Sequence, residues 1–110
     1  MVISHDEYIN FIKSRIEHIS EALKGASIIP SESVEPNSVI VSLDILERLA
    51  GYEMTDGERK NILPGPTLCG TFIGFEMYCD KDLPCLSVMV HPHYAEVIRT
   101  AKNQFKPQNQ

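Results

Sequence analysis

"TLCGTFIGFEMYC" (67–79) and "CLSVMV" (85–90), joined by "DKDLP" (80–84), hold most of the strand-forming residues of the chain, and how they are divided decides the fold. Both runs are rich in β-branched, aromatic and apolar side chains, which suit a pleated, half-buried surface. In the first run Phe75, Met77 and Cys79 fall on one face, with Glu76 and Tyr78 on the other. In the second, Leu86, Val88 and Val90 share a face opposite Cys85, Ser87 and Met89. Each run is read as one strand. Gly70 and Gly74 do not suit a straight strand, and each marks a bulge, a bend or an approach by another backbone.

Upstream of these runs, Ser4 and Glu7 have the spacing of a capping box, and Ile3 and Tyr8 that of a hydrophobic staple. Tyr8, Ile9, Ile12, Ile16, Ile19 and Leu23 recur at three- and four-residue steps, which predicts one amphipathic helix over 5–24, closed by Lys24 and Gly25. Ile28 and Ile29 suit a short strand or an anchor for the loop 26–37. "SVIVS" (38–42) predicts a strand. Ser42 then caps a helix in "LDILERLAG", with Leu43, Ile45, Leu46 and Leu49 inward and Gly51 at its end. Residues 52–66, "YEMTDGERKNILPGP", read as a loop, with Glu58 and Arg59 as exposed charges for a partner. Pro92 suits the first turn of a last helix, striped by Tyr94, Val97, Ile98, Ala101 and Phe105.

The resulting order, α-β-α-β-β-α, has no alternating βαβ pattern and no internal repeat. It predicts an α+β domain, with a small, largely antiparallel sheet and helices packed on one face. Half of each strand is polar or small, as expected of a sheet whose other face meets solvent or a partner. Residues 1–106 form one domain in this reading, and 107–110 a disordered tail.

The 110 residues carry a net charge of −5, with 43% hydrophobic and 23% charged residues, which is the composition of an ordinary globular domain. The acidic balance argues against a general grip on DNA or RNA phosphates and suits a protein partner with a basic patch. No basic n-region opens the sequence, and no apolar run is long enough to cross a bilayer. Three cysteines without scaffold spacing point to a reducing cytoplasm.

Two cysteines and two histidines crowd residues 79–93. Their spacing, Cys79-x5-Cys85-x5-His91-x-His93, matches no common zinc knuckle or finger, whose mark is a close C-x2-4-C pair. Cys79 continues the face of Phe75 and Met77, the setting of a buried thiol. A thiolate at Cys79 or Cys85 would need a lowered pKa from a cation or helix N-terminus, and no oxyanion or nucleophile-elbow motif accompanies either. "PGPTLCG" lacks the lysine of a phosphate loop, and "GTFIG" the glycine pattern of a dinucleotide turn. His5 and His18 fall on the polar side of the first helix, and Asp80 and Asp82 in a turn.

"VIVSLDILERL" (39–49), then "LPGPTLCGTFIGFEMYCDKDLP" (63–84), then a strand ending at 90, resembles an element of small phage-encoded proteins and tailed-phage capsid subunits. There a Gly-led strand is followed by an acidic turn ending in Leu-Pro. This chain has Gly-Phe-Glu (74–76) where such proteins have Gly, an apolar residue and Pro. The resemblance implies a phage or prophage origin and no particular activity.

The expectation is therefore a small, non-catalytic protein-interaction protein without a cofactor, a virion accessory or an inhibitor of a host system, with Glu76 and Tyr78 on its exposed sheet face. A homodimer is expected too, through the sheet face left uncovered or through an edge strand, where "CLSVMV" would have no charge or proline to guard it. The alternative is a zinc-binding or thiol-dependent domain using Cys79, Cys85, His91 and His93.

Overall fold

At the N-terminus the capping box forms as the spacing requires. Ser4 Oγ accepts the Glu7 N–H at 3.2 Å, and Glu7 Oε1 accepts the Ser4 N–H. The computed structural model describes residues 4–104. Ile3 of the staple, Phe105 of the last apolar stripe and the tail 107–110 lie outside the described residues.

The helix expected over 5–24 is two: α1 (His5–Ser14) and α2 (Ile16–Ala22). The Ser14 hydroxyl donates to the Phe11 carbonyl at 2.8 Å, the acceptor that Arg15 N–H would use in a continuous helix. Arg15 leaves helical geometry at φ −118°, ψ 25° and donates to Ile12 instead. The apolar stripe survives this break. Tyr8, Ile12, Ile19 and Leu23 are buried, while Ile9 and Ile16 are partly buried against the core.

A five-stranded sheet follows: β1 (Ser27–Pro30), β2 (Ser38–Val41), β3 (Thr67–Phe72), β4 (Phe75–Cys79) and β5 (Ser87–Val90). Their order across the sheet is β1-β5-β2-β4-β3. β1 with β5 and β2 with β4 are parallel; β2 with β5 and β3 with β4 are antiparallel. The α+β class holds, but the sheet is evenly mixed rather than largely antiparallel. β5 enters between β1 and β2, which forces one parallel neighbour on it. Because β5 is interior, the unguarded edge invoked for a homodimer does not exist.

"TLCGTFIGFEMYC" is a hairpin, not one strand. Phe72 pairs with Phe75 across a two-residue turn in which Ile73 (φ 45°) and Gly74 (φ 83°) both take left-handed backbone. That is the conformation of a type I′ turn, which matches the twist of the strands it joins. Glycine adopts it freely. Isoleucine, branched at Cβ, is an outlier there, and burial of its side chain in the core offsets part of the strain. Gly70, the second glycine flagged in this run, follows a register shift between Leu68 and Gly70 and so marks a bulge.

Two helices sit between β2 and β3: α3 (Leu43–Ala50), closed by Gly51 at φ 67°, and α4 (Asp56–Lys60), inside the stretch expected to be loop. Its start is a second capping box, Thr55 with Glu58. The last helix, α5 (Pro92–Gln104), begins at Pro92 as expected. The observed order is thus α-α-β-β-α-α-β-β-β-α.

One core joins the layers. Ile28, Val39, Val41, Phe75, Met77, Cys79, Val88 and Val90 from the sheet meet Ile12, Ile19, Leu23, Ile45, Tyr94 and Ile98 from the helices. Tyr8 stacks on Phe75 at 4.6 Å with rings 4° from parallel, and Tyr94 meets both edge-on. Burying side chains of this size stabilises by about 1.5–3 kcal/mol each, before chain entropy is set against it.

Candidate interaction face

Alternation leaves the other face of the sheet with its own series. Ile29 pairs with Met89, Met89 with Ile40, Ile40 with Tyr78, and Tyr78 with Leu68. One apolar side chain from every strand therefore stands in a single row across the whole sheet. None of the five is buried: Ile29, Met89, Ile40 and Tyr78 are half-buried, and Leu68, on the edge strand, is 56% exposed. The row is contiguous apolar surface on an uncovered face, smaller than the patches that mark interaction sites by area alone.

Polar groups close the row on both sides. Two positions back along the strands, Ser38 pairs with Glu76, and Glu76 with Thr71. Glu76 is exposed. Two positions forward lie Asp80, Ser42 and Ser87. The two serines are buried. Ser42 Oγ donates to Asp44 Oδ1 at 2.6 Å and accepts the Ser87 N–H at 3.3 Å. Asp80 accepts the Asp82 N–H at 2.9 Å, which folds the turn as the sequence suggested.

The edges of the sheet are blunted. β1 ends in Pro30, which has no N–H to offer a further strand, and β3 carries the bulge before Gly70, which bends that edge. An added strand is disfavoured at both.

Of the residues singled out by sequence, Tyr78 stands in the row and Glu76 on its rim. Glu58 and Arg59 belong to α4 and are engaged within the chain. Glu58 Oε1 accepts the Thr55 N–H at 2.9 Å and the Tyr52 hydroxyl at 2.7 Å. Those bonds, the Thr55 N–H first, hold the Glu58 carboxyl below its ordinary pKa. Arg59 Nη2 donates to both oxygens of Glu47 at 2.6 and 2.7 Å.

The Cys and His candidates separate. Cys79 is buried in the core, where burial first, and then Cys69, Asp80 and Glu47, push its thiol up to about 12. Cys85 is exposed in the turn. His91 and His93 do lie together, with ring centroids 4.4 Å apart, but their neighbour is His5, at 5.9 Å from His93, rather than a cysteine. Among the described residues no three His, Cys, Asp or Glu side chains are arranged to hold a metal ion. His18 leans on Phe72 at 5.5 Å.

Sequence reasoning missed Ile29, Ile40, Met89 and Leu68 as members of the row. Alternation alone gives the face of Ile40 and Met89 once their strands are read. Putting them beside Tyr78 needs the register, which no local pattern carries. Comparison with protein-family models, with curated proteins and with solved structures found no match. Among the described residues no helix is long and apolar enough to cross a membrane.

Proposed function

We propose that this chain is a small, non-catalytic protein-interaction protein that binds a protein partner through the row Ile29–Met89–Ile40–Tyr78–Leu68. The observation that carries the reading is the row itself, five apolar side chains in register on the sheet face opposite the core. A solvated sheet face alternates to polar residues, and here one position on that face of every strand is apolar instead. The blunted edges support face docking over strand addition. Phage or prophage origin, a cytoplasmic location and a role as virion accessory or inhibitor of a host system belong to the same proposal. The resemblance of residues 39–90 supports the origin, the three cysteines without scaffold spacing support the location, and the acidic balance with the exposed Glu76 supports a binding role.

Site-specific photocrosslinking in the source cells tests it. A photoreactive side chain at Leu68 is expected to give one dominant protein adduct, and the same group at Glu21 on α2 none. Equal adducts from both positions, or none from Leu68, overturn the reading.

A further inference from the structure

The row is too small to hold a partner alone. Five strands at about 4.8 Å spacing, with one side chain on this face for every two residues of about 3.3 Å each, give the row roughly 160 Å². A stable interface takes about 800 Å² from each partner. A partner seated on the row must therefore spread over its rim, so the charge of the rim selects the partner.

Within the strands and at the first position after β4, that charge has one sign. The five strands contain a single charged residue, Glu76, and no lysine or arginine. Asp80 follows at the opposite end of β4, on the same face. Lys81, next in the turn, is the nearest cation along the chain. Several other cations are spent away from this face. Arg48 donates to the carbonyls of Ala22 and Lys24, at 3.1 and 2.9 Å. Lys102 donates to Ala26 at 2.7 Å. Arg99 donates to Ile28 at 3.2 Å and to Glu96 at 2.8 Å. Arg59 is held by Glu47.

We infer that the occupant of the sheet face is a different protein, whose surface sets an apolar centre between lysine or arginine side chains that meet Glu76 and Asp80. The inference rests on the row being the docking face and adds the chemistry of what docks. A second copy of this chain fits worse. It would bring the same acids to the interface, with no cation in its strands to meet them and one, Lys81, in the turn beside Asp80. Like charges brought together in this way select against a pairing, while opposite charges guide encounter and fix register.

The probe is a pair of amphipathic peptides of equal length, one of leucine and lysine, the other of leucine and glutamate, titrated into the ¹⁵N-labelled protein. The lysine peptide is expected to shift the amides of Ile40, Tyr78, Leu68 and Met89 and to bind at least tenfold more tightly than the glutamate peptide. Raising the salt concentration should weaken it, and Glu76→Lys should shrink the preference. Equal binding of both peptides at these amides overturns the charge assignment and leaves the docking face standing. Shifts confined to the helical layer, or none with either peptide, overturn both. If the same amides shift on raising protein concentration without peptide, the occupant is a second copy and the inference fails.

Discussion

Asp44, at the start of α3, accepts the backbone N–H of Leu86 with both carboxylate oxygens, at 3.1 and 2.9 Å, across 42 residues of sequence. Leu86, like Ile73, is a non-glycine residue with left-handed backbone, at φ 54°. The carboxylate thus pins a strained residue one position before β5. Replacing Asp44 with Ala removes a charged acceptor and should cost about 1.5–3 kcal/mol in urea unfolding. An unchanged midpoint would mean that solvent replaces the bond without loss.

The same carboxylate gives a dependence on pH. Burial pulls its pKa up, but the Ser42 hydroxyl, the Leu86 and Asp44 N–H groups and Arg48 outweigh this, and the net shift is downward. A carboxyl lowered by folding contributes stability that is present above its unfolded pKa and lost as pH falls through the folded value. The stability advantage of the native protein over Asp44→Asn should therefore shrink from about pH 4 downward. A constant difference down to the acid transition contradicts the assignment.

Thiol chemistry should divide the three cysteines. Cys69 and Cys85 are exposed, while Cys79 is buried with its pKa near 12. At neutral pH a disulfide reagent should label two thiols promptly and the third only at the rate of unfolding. Prompt labelling of all three places Cys79 wrongly.

For the N-terminal cap, Ser4→Ala should cost about 1 kcal/mol. Ile19→Ala, at a fully buried position of α2, should cost about 2–5 kcal/mol. Ile16 is a poorer control because it is only partly buried. A harmless Ser4→Ala beside a damaging Ile19→Ala would mean that the capping box adds nothing to stability.

At the hairpin turn, Gly74→Ala separates backbone strain from crowding. An added Cβ would meet Tyr8 and Phe11 only at ordinary contact distances of 3.7 and 3.8 Å, so the cost comes from φ +83°. About 1–2 kcal/mol is expected from thermal unfolding. A loss above about 4 kcal/mol would point to crowding instead, of the size seen for disrupted cores.

What the sequence disclosed was local. The Ser4–Glu7 cap, Pro92 at the head of α5 and the alternation around Tyr78 each depend on residues within a few positions of one another. The division of "TLCGTFIGFEMYC" was hidden because Ile73 occupies a position that glycine or asparagine normally marks. The Arg15 break was hidden because the apolar stripe runs straight through it. Thr55–Glu58 repeats the cap pattern of Ser4–Glu7 and was readable, but no apolar run follows it to announce a helix. The candidate face was half legible: parity identified Tyr78 and Glu76, while the alignment of all five strands depends on pairings such as Ile28 with Val88.

The insertion of β5 between β1 and β2 also sets a timetable. During synthesis β1 and β2 emerge early, yet they are not partners, and the strand that joins them comes last. Until residue 90 has cleared the ribosome, the flank of β1 and the flank of β2 that it will occupy have no strand to pair with. Closing long loops before their contacts form slows folding. A nascent chain halted after Cys79 would display β1 with no partner on either flank and β2 with one flank bare, so for this molecule the interval before β5 arrives is when wrong pairing is easiest and when a chaperone has most to protect.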